Sequence, residues 1–207
     1  MRRRPARAFS IIELLIATAV VSVVLSSALV ALDAAFKGYE ATTNSASTHA
    51  VTRLVMHRMI AMIRTGDEFG PFPVDVLDPA TNPLQSDFIE FVSLDDPATG
   101  RRDISRIEVR DDPDEELDEL WIVINRTQDG EPMGLPIERP LLMNLESAEF
   151  TLNYDVGPRL ARATIDLAVR PNDDLSETNV NESIYEVADL PPPVRMVASV
   201  TPRRLTD

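Results

Sequence analysis

One stretch near the amino terminus restricts this chain more than any other. Residues 9–32 (FSIIELLIATAVVSVVLSSALVAL) hold a single charged side chain, Glu13, and residues 14–32 are 19 consecutive uncharged positions. A helix rising about 1.5 Å per residue needs about 20 apolar residues to cross the hydrocarbon core of a bilayer. One crossing is predicted here. Arg2, Arg3, Arg4 and Arg7 stand before it, and Asp33 is the first charge after it. The positive-inside rule then predicts a cytoplasmic amino terminus, with everything beyond residue 33 outside. The apolar run exceeds the roughly 7 to 15 residues of an ordinary secretory signal core, and residues 28–35 offer only weak small-residue sites behind it. A conventional cleaved signal peptide fits poorly.

Glu13 is the informative residue, because a carboxylate within an apolar helix costs on the order of 2.5 to 3.5 kcal/mol on insertion scales. On one reading it lies near the interface and its side chain reaches back to water. On the other a cation neutralises it. A cut between Ala8 and Phe9 would create an α-amino group one helical turn before Glu13, able to pair within its own helix or with Glu13 of a neighbouring subunit.

The string RRRPARA-FSIIELLIATAVV resembles the amino-terminal signal of type IV pilins and type II secretion pseudopilins. The resemblance implies that residues 1–8 are a basic leader removed by a prepilin peptidase, with Ala8 before the cut and Phe9 the N-methylated first mature residue. It also implies that Glu13 is the acid at the fifth mature position, which sets register during assembly. The family's usual residue before the cut is Gly; Ala8 departs from it while remaining small. The motif covers about 25 residues of the chain.

The chain carries 34 Asp and Glu against 20 Lys and Arg, a net charge of −14, which becomes −18 without the four leader arginines. So acidic a chain repels phosphate backbones, and no nucleic-acid partner is expected. The absence of Cys removes disulfides, thiolate metal sites and Cys nucleophiles.

Residues 33–66 contain one Gly before Gly66 and no Pro, and Val51, Leu54, Val55, Met59 and Met62 recur at helical spacing. The helix is predicted to continue outside the membrane to Arg64, with that stripe against a sheet and Arg53, His57 and Arg64 on the far side. Residues 41–48 (ATTNSAST) are rich in poor helix formers, which predicts a local kink or loosening. Over residues 9–64 the rod would measure roughly 84 Å. The proline-rich run at 70–83 ends the helix.

Alternation then predicts a strand at 88–94, a hairpin of 104–110 with 120–126, a second hairpin of 148–154 with 163–169, and a last strand at 194–200; residues 172–183 read as a loop. A long helix followed by an antiparallel sheet is α+β. The expected division is a leader at 1–8, a transmembrane assembly helix at 9–32, its extracytoplasmic continuation at 33–66, and a β domain at 67–207. This order resembles the pilin-like fold, and more loosely the J-type minor pseudopilins and W-type minor pilins.

Few residues suggest catalysis. His49 and His57 fall on the predicted helix, and no His or Cys follows residue 57, which removes Ser-His-Asp chemistry and the usual zinc ligands from the β domain. The acidic run containing Asp111, Asp112 and Asp114 is the one ligand-like cluster, but it lacks the alternate-position calcium pattern with a turn glycine and reads better as a solvated hairpin tip. No metal, cofactor or enzymatic activity is expected. The expected function is a minor pilin or pseudopilin subunit of the bacterial inner membrane, later built into a filament with other such subunits. The alternatives are an uncleaved, signal-anchored periplasmic binding module and, less favoured, an anchored carboxylate-dependent hydrolase.

Overall fold

The computed structural model describes residues 10–111, 117–157, 159–171 and 192–203. It comprises a helix α1 (Ile11–Thr65) and nine strands: β1 (Asp67–Gly70), β2 (Leu84–Ser86), β3 (Phe88–Asp96), β4 (Arg101–Arg110), β5 (Asp118–Gln128), β6 (Glu131–Pro132), β7 (Ile137–Asp155), β8 (Arg159–Val169) and β9 (Val194–Val200). The fold is α+β, as expected. The chain forms two compact units, Met1–Thr43 and Asn44–Asp207, and α1 contributes to both.

In the first unit Leu14, Leu15, Val23, Leu29 and their apolar neighbours on α1 are exposed. Three of its hydroxyls bond within the helix: Thr18 donates to the Leu15 carbonyl (3.0 Å), Ser22 to Thr18 (2.6 Å) and Ser27 to Val24 (2.8 Å). Such internal bonding suits a polar group in a bilayer interior. The predicted loosening at 41–48 does not break the helix. Thr42 and Thr43 donate to the Gly38 and Tyr39 carbonyls (2.8 and 2.9 Å), so their hydroxyls bond back onto the helix without ending it.

The second unit is one antiparallel sheet in the order β1-β3-β4-β5-β7-β8-β9, with β2 paired to β7 and β6 to β5. Both predicted hairpins form, the second with a register shift between Asn153 and Tyr154. Ile107 faces Ile89 on one side and Ile122 on the other, and Phe150 faces Ile165. The 19-residue β7 changes partner along its length: residues 137–145 pair with β5, and residues 145–155 pair with β8. Asn144, at φ 58°, lies where the register shifts, in the left-handed region that Asn tolerates better than most residues.

The helix buries Thr52, Val55, Met56, Met59 and Ile63 against Phe91, Ile107, Leu120, Phe150 and Ile165. This corrects the expected stripe. Val55 and Met59 are buried, but Val51 and Leu54 are 50% and 71% exposed. The apolar arc of this helix is wider than the sheet can cover, and the covered part lies toward Ile63, roughly one 100° residue step from the predicted centre. At the helix end, Gly66 is required by close approach: a Cβ there would lie 2.6 Å from the Phe91 ring.

The proline-rich connection between β1 and β2 is pinned to the sheet. Asn82 Nδ2 donates to the Val76 and Tyr154 carbonyls (both 2.8 Å), and Tyr154 N donates back to Asn82 Oδ1 (3.0 Å). The Tyr154 hydroxyl donates to the Pro71 carbonyl at 2.8 Å, and burial raises its pKa well above the usual tyrosine value, so it remains a neutral donor.

Candidate functional site: the amino-terminal end of the helix

Of the sequence-predicted site residues, Ala8 and Phe9 lie outside the described residues, and Glu13 lies in the first turn of α1. Ser10 immediately precedes the helix. Its carbonyl accepts the first helical hydrogen bond from Leu14 N (3.1 Å), and its Oγ accepts from Ile12 N (3.4 Å). Glu13 Oε2 in turn accepts from Ser10 N at 3.0 Å. These contacts make a variant of the capping box: the acid three positions after the cap satisfies the Ser10 backbone donor, while the Ser10 hydroxyl accepts from Ile12 N rather than from Glu13 N. The carboxylate also sits at the positive end of the helix dipole, which favours an anion there.

Ser10 is the residue that sequence reasoning overlooked. The S-x-x-E spacing before an apolar run is a known start signal, and it is legible in SIIE at residues 10–13. The geometry holds the Glu13 carboxylate against the backbone nitrogen that follows residue 9. An α-amine created on residue 9 is therefore one peptide unit from a group the carboxylate already touches.

The other candidates do not converge. His49 and His57 are exposed on α1, eight residues apart. Asp111 is exposed, whereas Asp112 and Asp114 lie outside the described residues. Burial, followed by the neighbouring Asp111 charge, raises the Asp118 carboxyl above its usual range. Among the described residues no group of three or more His, Cys, Asp or Glu is placed to hold a metal ion. A groove of about 380 Å³ runs between Ser47, Thr48 and Val51 of α1 and residues 140–144 of β7, closed by Val169 and Arg170. Its one charged lining residue, Arg170, pairs with Glu146 at 3.2 Å, so the groove lacks the opposed titratable groups of an acid–base site.

The described helix is long and apolar enough for a single membrane crossing, and its apolar stretch is not buried within the chain. No curated protein and no solved structure matches the chain. Residues 3–29 match the prokaryotic N-terminal methylation motif, so the capped amino-terminal helix bears a prepilin-type processing and methylation signal.

Proposed function

We propose that this chain is a minor pilin or pseudopilin subunit. It is cut by a prepilin peptidase between Ala8 and Phe9, methylated on Phe9, and assembled through its apolar helix into a pilus-like or type II secretion filament. The observation that carries the reading is the methylation motif over residues 3–29, which takes in the start of a helix whose first-turn acid is held beside residue 10. In this account the basic leader keeps the amino terminus in the cytoplasm and the β domain faces the periplasm. Packing of apolar spans supplies the assembly contacts, and the new amine of a neighbouring subunit pairs with Glu13. The role is structural rather than catalytic, and element order favours the J-type pseudopilins or W-type pilins within the family.

The capping box supports one competing reading. Glu13 already has a partner in Ser10, so an uncut, signal-anchored module also accommodates the acid. Expression of the full chain with and without a prepilin peptidase separates the two. The pilin reading expects a peptidase-dependent loss of eight residues, and Ala8→Gly should accelerate it. An intact leader in both strains would establish the anchor.

A further inference from the structure

The outer face of α1 in the second unit has a charge balance opposite to that of the sheet it covers. Residues 41–66 contain Arg53, Arg58, Arg64, His49 and His57 and no Asp or Glu, whereas residues 67–207 carry 31 acidic against 12 basic side chains. At 100° per residue, Arg53, His57 and Arg64 form one ridge and Arg58 stands on the other side of a strip made by Ala50, Leu54 and Ala61. All seven are exposed. Among the described residues none of the three arginines forms an ion pair. The backbone of Arg203 donates to the Arg64 carbonyl at 2.9 Å, which adds another basic residue at this end.

The complement of this face is present elsewhere on the same unit. In the connection between β1 and β2, Val74 is 97% and Leu77 75% exposed, and they are interleaved with exposed Asp75 and Asp78. The loop is ordered in advance by the Asn82 and Tyr154 hydrogen bonds. Asp75 and Asp78 each use Oδ1 to accept a backbone N–H, from Leu77 and Ala80 (both 2.9 Å). Such preorganisation lowers the entropy lost on binding.

We propose that this loop of one copy docks on the α1 face of a second copy, with Leu77 against Leu54 and Asp75 and Asp78 against the flanking arginines. The two patches differ, so the contact is heterologous and extends from copy to copy. It involves only residues of the second unit and does not rest on the reading of the amino terminus.

The chain lacks Cys, so single-cysteine variants test the contact directly. Two differently tagged full-length populations, Leu54→Cys and Leu77→Cys, are mixed in detergent micelles and oxidised. The mixed 54–77 product should exceed both same-site products by about tenfold, the ratio given by ~1.4 kcal/mol of preference. Raised salt should reduce that excess. Arg53→Glu with Arg58→Glu in the Leu54→Cys copy should abolish it, and Asp75→Lys with Asp78→Lys in the Leu77→Cys copy should restore it, which only folded partners can do. Random proportions, an excess of 54–54 product from side-by-side helices, or failure of the paired reversals to restore the mixed product would overturn the proposal.

Discussion

Replacing Glu13 by Gln separates two tasks that one carboxylate can perform. In the structure Oε2 accepts from Ser10 N at 3.0 Å. An amide oxygen keeps that acceptor, so this hydrogen bond, worth about 0.5–1.5 kcal/mol, survives in Glu13→Gln and is lost in Glu13→Ala, while the Ser10 hydroxyl still caps Ile12 N in both. The charge is lost in both. An ion pair at about 4 Å is worth about 1 kcal/mol in bulk water and about 4 kcal/mol at the effective dielectric near a protein surface. Losing an interaction in that range lowers an equilibrium constant by about fivefold to several hundredfold. Membrane insertion should not suffer, because removing the carboxylate also removes an insertion cost of about 2.5–3.5 kcal/mol. Glu13→Gln and Glu13→Ala should therefore both reach the membrane and both fall at least about fivefold in the ratio of filament-borne to membrane-borne subunit, read by immunoblot of sheared and membrane fractions. Incorporation of Glu13→Gln at the parent level, with Glu13→Ala deficient, would refute the charge-pairing argument and leave the side chain with capping alone.

Other outcomes follow from the second unit. Met59 is fully buried between α1 and the sheet, so Met59→Ala should cost about 2–5 kcal/mol in denaturant unfolding of the full chain in micelles. Asn82→Ala removes three hydrogen bonds that pin the connection between β1 and β2 and should cost about 1–3 kcal/mol, with faster amide exchange at Tyr154; unchanged exchange there would contradict the clamp. Asp103 and Asp166 are held below the usual carboxylate range, chiefly by hydrogen bonds from Arg101 and Arg195. A depressed folded pKa contributes stability that is present above the unfolded value, about 3.9, and is lost as pH falls through the folded one. The thermal midpoint should hold near neutrality and drop below about pH 4, less steeply in Arg101→Gln.

The parts of the fold that are legible in the sequence are those governed by strict alternation. Ile104 to Arg110 pairs with Leu120 to Arg126, and Ala148 to Tyr154 with Ala163 to Val169, and the alternate apolar positions Ile107, Leu120, Ile122, Phe150, Leu152, Ala163, Ile165 and Leu167 turn to the core, which specifies the pairing. Strands β1 and β2 are too short to alternate and flank a proline-rich run that reads only as a helix stop. The first half of β7 contains Pro140 and, at Asn144, a residue with positive φ, so its pattern breaks where the strand changes partner. The buried helix face differs from the predicted stripe because the apolar arc includes Met56 and Ile63 as well as Val51 and Leu54, and only the sheet decides which half is covered. At the amino terminus the apolar run, the spaced acid and the Ser10 cap are all local signals, carried by neighbouring residues and independent of tertiary packing, and so the methylation motif is legible in the residue string alone.

The central claim is tested most directly by the mass of the amino-terminal peptide of the membrane-bound chain. The account expects that peptide to begin at Phe9, one methyl group heavier than the unmodified sequence and without residues 1–8. A peptide beginning at Met1 or Arg2, with the arginines intact and Phe9 internal, would contradict it.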